Sequence, residues 1–330
     1  MALDGVPWFI GGDAEHGPDV ARQLAYLATG GKEGVGGPGD LKVTALDVPG
    51  GGVKIAAGGA SILNRVASQQ SYTARNPVTD TSVQIAQTGS GSGRTDLVIL
   101  RVDNPYVDSN AQAPADAAKG PYNRFDVIAG VPAGTKSVQD IPQYAGLSAI
   151  NLARITLPAS TGTVTAANIT DLRSLAKPQS DRQIVTGTID GTRVTLSSGA
   201  WSTWPINPIT GIQIPSWATH AVIRMDTTIR FVSGSAYANF QGFLGPAGKY
   251  DGTTQYADSL IDATTAAAGE YRQPFIVPSN GLWPIPASLR GTTAQLTFRA
   301  RAANAGGNGV IGSSSEDYYF ADITFTERIS

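Results

Sequence analysis

Most of the chain consists of short segments in which apolar and polar residues alternate. Residues 294–301 alternate with a period of two, and residues 319–326 partly follow the same rule. Successive side chains of an extended strand point to opposite faces, so one face of each segment should be buried. Turn residues separate these segments, and the pattern predicts strands at 41–48, 53–57, 71–74, 82–87, 96–102, 125–129 and 151–157 in the first half, and at 183–189, 193–196, 221–231, 236–244, 273–277, 294–300 and 319–326 in the second.

One segment has helical rather than extended spacing. Pro18 stands at its start, apolar residues including Leu24 and Leu27 recur every three or four positions, and Gly30 follows its end. Proline is favoured in the first turn of a helix and glycine just beyond the last, so the pattern predicts a helix over 18–29. We expect Leu24 to pack against the rest of the protein, and a Leu24→Asp exchange to cost several kcal/mol because it would bury a charge.

A second, shorter helix is predicted over 165–173, because Thr165 is a suitable N-terminal cap and Pro178 prevents continuation. Two segments between the strands are predicted to be irregular. Residues 89–93 alternate Gly and Ser, which is typical of a flexible turn. Residues 104–122 contain many Ala, Asp, Pro and Asn and are predicted to form a long loop of the kind that often makes contacts.

The composition changes near residue 178. The first 178 residues contain 8 aromatic residues and 6 of the 7 lysines, whereas the remainder contains 17 aromatic residues and a single lysine. We therefore predict a mainly β protein of two domains, residues 1–178 and 183–330, joined by a linker at 179–182. The first domain is predicted to be β-rich with one α-helix, and the second to be a β-sandwich or jelly roll.

Composition argues against several classes of partner. The chain has 330 residues, 15% of them charged, and a formal net charge of -2 without a run of like charges. It offers no basic surface for nucleic acid and no polybasic patch for a membrane. It also contains no run of roughly 18 apolar residues that would insert into a membrane, and no leader pattern at its start, so we expect synthesis in the cytoplasm.

Residues with metal-binding or catalytic chemistry are few. The chain contains no cysteine and only two histidines, His16 and His220, so no zinc motif can be written. His220 is interpreted as a strand-end residue and His16 as part of the helix entry. Residues 134–137 do not fit a phosphate-binding loop, because Thr135 occupies the position of the required glycine. We therefore predict neither a cofactor nor a bound metal.

Two alternative functions would use carboxylates. Glycoside hydrolysis needs two carboxylates about 5–10 Å apart, and a calcium site needs several oxygen ligands in one loop. The calcium candidates lack the spacing of a defined loop motif and are better explained as turn residues; they are Asp103, Asn104, Asp108 and Asn110. Hydrolysis stays a minor alternative, with candidate acids at Asp226, Asp251, Asp258, Asp262, Glu270, Glu316 and Asp317.

Aromatic residues of the second half are the best candidates for ligand contact. Trp201, Trp204 and Trp217 lie in segments broken by proline, and Tyr250 and Tyr256 flank a loop that begins with Asp251. An aromatic face stacks on the apolar face of a sugar, while neighbouring Asp, Asn and Gln bind its hydroxyl groups. The competing interpretation is that these aromatics pack in the core or in a seam between subunits.

Five phrases follow one another in the first half, the first of them just after His16. In order, they are DVARQLAYLATGG (19–31), DLKVTALDVP (40–49), QSY (70–72), RTDLVILRVD (94–103) and LARITLPASTGTVTAANITDLR (152–173). Together with His16, they resemble the minor tail proteins of long-tailed phages that infect actinobacteria. The resemblance covers about residues 1–178 and contains no catalytic signature.

The resemblance implies a virion component whose first domain attaches to the tail tip. It implies structural roles for four charged residues, Arg94, Asp96, Arg101 and Asp103. Because Arg94 and Asp96 are two positions apart and share a strand face, an ordinary cross-strand ion pair is favoured there over a subunit contact. The leading hypothesis is a non-enzymatic tail-tip protein whose second domain contacts the host surface, its glycans or a surface protein. The alternatives are a purely architectural tail subunit and a cell-wall glycan hydrolase.

Exposed strand edges and the weakness of single sugar sites both favour assembly of several copies. Edge strands are commonly covered by another chain, and repetition of a weak site raises its effective concentration. We therefore expect a homo-oligomer, with a trimer favoured. Other tail proteins are the remaining expected partners.

Overall fold

The computed structural model describes residues 17–189, 191, 193–196, 200–203, 207–233, 236–263, 271–303, 310–314 and 316–329. Contacts within the chain divide it into two compact units. Unit 1 comprises the chain up to Pro178 together with Ile329, and unit 2 runs from Gln179 to Arg328.

The described part of unit 1 is mainly β with one α-helix, α1 (Pro18–Ala28). Three short 3-10 helices lie at Val138–Asp140, Pro142–Tyr144 and Ala166–Asn168. The strands are β1 (Gly34–Val35), β2 (Val43–Ala45), β3 (Gly52–Ile55), β4 (Gly58–Leu63), β5 (Ser71–Asn76), β6 (Asp80–Gln84), β7 (Arg94–Val102), β8 (Asn123–Ile128), β9 (Ala149–Leu157) and β10 (Ile169–Asp171).

These strands form three antiparallel sheets, with the orders β1-β4-β5, β2-β3-β6 and β10-β9-β7-β8. Strand β7 is buried on both faces, which explains its nearly continuous apolar sequence. Val98 and Leu100 belong to the larger hydrophobic cluster of unit 1, whereas Leu97 and Ile99 belong to a smaller one on the opposite face. The period-two geometry of a strand therefore lets β7 connect two cores.

Helix α1 begins at Pro18 as predicted, but its apolar residues are not buried. The side chains of Leu24 and Leu27 are 47% and 65% exposed, and no residue of the helix is fully buried. The expectation that Leu24 packs against the protein is therefore wrong for the described chain. Arg22 of the helix instead donates from Nε to Gln70 Oε1 at 2.6 Å, just before β5, and its guanidinium carbon lies 5.8 Å from the ring centroid of Tyr72 in β5. No helix of the described residues is long and apolar enough to cross a membrane.

The helix predicted over 165–173 is also wrong. Thr165 does occupy the N-cap position, where its backbone N–H donates to Asn168 Oδ1 at 2.8 Å, but the turn that follows is a single 3-10 turn. The chain then enters β10, in which Ile169 lies opposite Ile155 of β9. The β-branched residues Ile169 and Thr170 favour a strand once a partner strand is available.

The charged residues of the RTDLVILRVD phrase pair within unit 1. Arg94 Nε lies 2.8 Å from Asp96 Oδ1 along the same strand, instead of pairing across strands as expected. Arg101 forms both kinds of pair, at 2.6 Å with Asp103 and at 3.2 Å with Asp126 on the neighbouring strand. Asp96 is buried and also accepts the backbone N–H of Gly130, so the carboxylate connects β7 to the segment after β8.

Unit 2 contains strands and one 3-10 helix (Ala287–Leu289) among its described residues. The strands are β11 (Ser180–Thr186), β12 (Arg193–Thr195), β13 (Ser202–Thr203), β14 (Ile209–Gln213), β15 (His220–Ser233), β16 (Ala236–Gly245), β17 (Gln255–Ala263), β18 (Tyr271–Pro278), β19 (Trp283–Pro284), β20 (Thr293–Ala302), β21 (Val310–Gly312) and β22 (Tyr319–Thr326).

Two antiparallel sheets of unit 2 enclose one hydrophobic core, as the predicted β-sandwich requires. The first sheet has the order β11-β22-β15-β21-β12, with β18 and β19 also paired to β15. The second has the order β13-β20-β16-β17, with β14 also paired to β20. Phe298 of β20 lies between the two sheets, with ring contacts to Tyr256 of its own sheet at 6.4 Å and to Tyr319 of the other at 6.2 Å.

The predicted linker at 179–182 is mostly strand. Ser180, Asp181 and Arg182 form the first part of β11 and pair with the end of β22. Arg182 also forms a two-bond ion pair with Asp322, at 2.8 and 2.6 Å. The polar composition that predicted a linker reflects an edge strand, which is expected to have polar and charged residues.

Candidate functional site

The outer face of the second sheet of unit 2 combines aromatic and cationic side chains. Along β20 the even-numbered residues from Ala294 to Ala302 are buried in the core. Arg299 and Arg301 occupy odd positions, so both point to the opposite face. In the register of the sheet, Gln241 of β16 lies opposite Arg299, and Asn239 lies opposite Arg301.

Arg299 is surrounded by three aromatic rings. Its guanidinium carbon lies 4.8 Å from the ring centroids of both Trp201 and Phe243, and 5.9 Å from that of Tyr250. Phe243 and Tyr250 contact each other edge to face, with centroids 5.3 Å apart. Attraction between a cation and the negative faces of aromatic rings stabilises such an arrangement.

A polar chain continues from Arg299 across the sheet. Arg299 Nε donates to Gln241 Oε1 at 2.9 Å, and Gln241 Nε2 donates to Asp258 Oδ2 at 3.2 Å. This chain follows the register, in which Gln241 lies between Arg299 on β20 and Asp258 on β17. Burial and the positive charge of Arg301 lower the pKa of Arg299, with weaker opposing effects of Tyr250 and Asp258. The guanidinium remains charged at neutral pH, because arginine does not lose its proton in proteins.

Arg301 also contacts the ring of Trp201. Its guanidinium carbon is 4.6 Å from the ring centroid of Trp201, so one indole contacts two arginines. Leu260 on the neighbouring β17 is 53% exposed and lies opposite Asn239 on this side of the sheet. We define the aromatic–arginine face by its six central residues: Trp201, Gln241, Phe243, Tyr250, Arg299 and Arg301.

The structure brings together two of the six residues predicted for ligand contact. Trp201 and Tyr250 both contact Arg299 on the aromatic–arginine face. Trp217 is half-buried and packs against the core, and Tyr256 is buried within it. Trp204 lies outside the described residues. The interpretation as core residues therefore holds for Trp217 and Tyr256.

Asp251 organises its own loop. Its Oδ1 accepts the backbone N–H of Thr253 at 2.9 Å, the hydroxyl of Thr253 at 2.6 Å, and the backbone N–H of Thr254 at 3.2 Å. These bonds, the hydroxyl bond first, lower the pKa of the Asp251 carboxyl. The exposed carboxylate is therefore an Asx-type turn residue that fixes the loop next to Tyr250.

Sequence reasoning missed the two arginines, Phe243 and Gln241. The signal was present, because the alternation that predicted β20 places its odd residues on the face away from the core. Trp201 lies next to β13, which pairs with β20, and this pairing could not be read from the sequence. The contact partners of the arginines therefore became visible only in the folded chain.

The carboxylates proposed for hydrolysis are engaged in separate contacts. Asp226 pairs with Arg224 at 2.8 Å, and Asp258 accepts from Gln241. Arg272 contacts both Glu316 at 3.0 Å and Asp317 at 3.5 Å. Of the other candidates, Glu270 and the Asp262 side chain are outside the described part of the chain.

The calcium and histidine candidates are likewise explained by local contacts. Asp103 pairs with Arg101, and Asn104 Oδ1 accepts the backbone N–H of Tyr106 at 3.1 Å. Within the described ranges, no group of three or more His, Asp or Glu residues could hold a metal ion. His220 Nδ1 lies 2.9 Å from Thr219 Oγ1, and burial, followed by two nearby arginines, lowers its pKa. His16 lies outside the described residues.

Comparisons with known proteins give no family. No protein-family model matches the chain, and no curated protein matches it significantly. Similar solved structures include viral structural proteins and a carbohydrate-binding β-sandwich module.

Three solved structures illustrate the range. A chain from the structure of infectious bursal disease virus, Gx strain, is 11% identical to this protein with a TM-score of 0.26, and the match covers 90% of this chain and 67% of that one. The VP2 subviral particle of the same virus is 11% identical with a TM-score of 0.23, covering 90% and 68%. A carbohydrate-binding module from the β-sandwich superfamily is 12% identical with a TM-score of 0.20, covering 91% and 98%. These TM-scores are too low to support an argument about fold or function.

Proposed function

We propose that the chain is a structural protein of a phage tail tip whose unit 2 binds glycans on the host surface. The protein is then made in the host cytoplasm and acts in the virion, as a homo-oligomer for which a trimer is favoured, next to other tail proteins. The observation that carries the proposal is the aromatic–arginine face, in which Trp201 and Tyr250 border a guanidinium on the outside of a sheet.

The chemistry of this face suits a sugar. Trp201 is half-buried, and the part of its indole that the two arginines leave exposed offers an apolar surface for contact with a sugar ring. Gln241 and the two arginines supply hydrogen-bonding groups, and Gln241 is held between Arg299 and Asp258. A few polar groups placed beside an aromatic ring can orient a bound ligand.

Unit 1 supports the virion part of the proposal through the resemblance of its phrases to phage minor tail proteins. The charged residues of one phrase have structural roles in unit 1, since Arg94 and Asp96 pair with each other and Asp96 accepts a backbone N–H. The resemblance implied such roles. The proposal accordingly assigns attachment to unit 1 and recognition to unit 2.

The test uses the labelled full chain and measures its binding to actinobacterial cells and to their isolated wall polysaccharide. Trp201→Ala should weaken binding about tenfold, because an aromatic anchor commonly contributes that much to a small site. Tyr318→Ala is the matched control, since Tyr318 is an exposed aromatic next to β22 in the other sheet. Equal binding by both variants, or no binding by the unaltered chain, would refute glycan recognition at this face.

The proposed role involves binding without turnover. Incubation of the full chain with wall polysaccharide should release no reducing sugar. If the chain does release reducing sugar, and substitution of one candidate acid, for example Asp258→Asn, abolishes that release, the protein is a hydrolase instead.

A purely architectural tail subunit is the second candidate, and the surface of α1 favours it. Leu24 and Leu27 are largely exposed on this helix, and exposed apolar residues that lie together often mark a subunit contact. If the role is architectural, Leu24→Asp should prevent incorporation into tails, whereas Trp201→Ala should leave adsorption of complete particles unchanged. If unit 2 recognises the host surface, particles that carry Trp201→Ala should lose adsorption.

A further inference from the structure

The arginines on the outer faces of the two sheets of unit 2 differ in their carboxylate partners. On the first sheet, Arg182 lies 2.6 Å from Asp322, and Arg224 lies 2.8 Å from Asp226. Each of these guanidiniums is therefore neutralised by a carboxylate of its own face. On the second sheet, neither Arg299 nor Arg301 has a carboxylate within 4.0 Å in the part of the chain that the structure describes.

The two arginines are close neighbours. Arg299 and Arg301 are two positions apart on β20, and both contact the ring of Trp201, at 4.8 and 4.6 Å. Burial and then the charge of Arg301 lower the pKa of Arg299, with opposing effects of Tyr250 and of Asp258, which is connected to Arg299 only through Gln241. A like-charged, partly desolvated pair is unfavourable without a counter-charge, and a bound anion would relieve it.

Donor groups for an anion are available on both residues. The hydrogen bond of Arg299 to Gln241 uses only Nε, which leaves its two terminal nitrogens without an acceptor among the described residues. Arg301 contacts Trp201 through its face and forms no hydrogen bond within the same ranges. A guanidinium binds carboxylate or phosphate oxygens through two parallel N–H bonds, which gives both affinity and orientation.

The position of Trp201 indicates that the anionic group belongs to a saccharide. Trp201 lies directly against both guanidiniums, so a sugar ring stacked on the indole would place its charged substituent beside them. A nucleic acid is a poorer fit, because the chain has a net charge of -2 and this site has only two arginines for a polymer with one phosphate per nucleotide.

We propose that Trp201, Arg299 and Arg301 form a subsite for an acidic polysaccharide, one whose sugars carry a carboxylate or a phosphate. This inference rests on the proposed glycan-binding function and specifies its ligand class. Carboxylate and phosphate share the chemistry that the arginines recognise, so the experiment distinguishes them.

The test is a titration of the full chain, followed by tryptophan fluorescence or calorimetry, with four probes. These are polygalacturonate for carboxylate, phosphomannan for phosphate, neutral dextran, and a single-stranded oligonucleotide. At least one acidic polysaccharide should bind about tenfold more tightly than dextran, since one charge-assisted contact contributes about that factor. The affinity should fall as salt is added.

Arg301→Gln should remove this preference and leave the weaker binding of dextran unchanged. Arg301→Lys should restore most of it, because the charge is retained. Arg182→Gln is the matched control, since it removes the same charge from the exposed face of the other sheet. Thermal unfolding of all variants shows whether they fold, and Arg301 is preferred to Arg299 because it is not enclosed by several rings.

The outcomes separate the inference from the function on which it rests. Equal binding of acidic and neutral polysaccharides overturns the acidic subsite while glycan binding stands. Retention of the preference in Arg301→Gln also overturns the subsite. An oligonucleotide that binds as tightly as the acidic polysaccharides replaces it with a nucleic-acid site. Binding of no polysaccharide at all, including host wall polysaccharide, refutes both proposals.

Discussion

The guanidinium carbon of Arg299 lies 4.8 Å from the ring centroid of Trp201, although the two residues come from different segments of unit 2. The contact arises because β13, which follows Trp201, pairs with the strand that contains Arg299. It holds the half-buried indole against the sheet. It is one of four cation–aromatic contacts that set the geometry of the candidate site.

Removing that contact should lower the stability of unit 2. Arg299→Met keeps the length of the side chain but not its charge, and the free energy of unfolding should fall by about 1 kcal/mol. The loss should be smaller when Trp201→Ala is already present, because one of the contacted rings is then absent. Urea unfolding of the two single variants and the double variant measures this coupling, and strictly additive losses would contradict it.

The alternating segments of the sequence predicted the central strands of both units well. In β7, β9, β20 and β22, the apolar residues lie on one or both faces of an extended strand, and a helix would not bring them to one face. Strand β4 was missed because Gly58 and Gly59 open it, and β17 was missed because its polar residues resemble those of a loop. Tyr256, predicted beside a loop, lies in that second strand and points into the core.

The candidate site was predicted only in part, because it depends on strand order. Trp201 and Tyr250 were selected for their residue type, and they share one face because β13 and the loop after β16 both border β20 or its neighbour. Neighbours in a sheet are set by long-range pairing, which periodicity does not encode. The same limit explains the failure at 165–173, where pairing with β9 decided the conformation.

Close packing against Tyr256 should make Gly242 intolerant of any side chain. A Cβ atom at this position would lie 2.5 Å from Cζ of Tyr256, inside the core of unit 2. Gly242→Ala should lower the free energy of unfolding by about 1–3 kcal/mol, as overpacking of a core does. Gly252→Ala is the control, because nothing lies within 4 Å of its Cβ position. Equal melting temperatures of the two variants would show that this packing is absent.

The hydroxyl of Tyr256 is buried without a hydrogen-bond partner among the described residues. Burial raises the pKa of this hydroxyl well above its usual value, so it is neutral at physiological pH. Tyr256→Phe removes a polar group with no partner, and stability should stay equal or rise by up to about 1 kcal/mol. Tyr72→Phe should instead lose about 1 kcal/mol, because that hydroxyl accepts from Asn104 Nδ2 at 3.1 Å. Chemical unfolding compares the two, and a loss in Tyr256→Phe would indicate a missing partner.

The ion pair between Arg182 and Asp322 should make the stability of unit 2 depend on pH. The hydrogen bonds from Arg182 lower the pKa of the Asp322 carboxyl from its usual value near 3.8. The stabilisation is therefore complete above the unfolded pKa and is lost as the pH falls through the lower pKa of the folded protein. Asp322→Asn should show a smaller loss of stability between pH 5 and pH 2 than the unaltered chain. Identical pH profiles in acid-dependent thermal unfolding would exclude a contribution of this pair.

The exposure of α1 reverses the expectation for Leu24→Asp. Because the side chain of Leu24 is 47% exposed, the aspartate would be solvated instead of buried. The free energy of unfolding of the isolated chain should therefore change by less than about 1 kcal/mol, most of it from the lower helix propensity of aspartate. Leu152→Ala, at a fully buried position of β9, should cost about 2–5 kcal/mol in the same urea titration. A loss in Leu24→Asp as large as that in Leu152→Ala would mean that α1 is packed in solution. A small loss together with failed assembly into tails would instead assign the exposed leucines to a contact with another subunit.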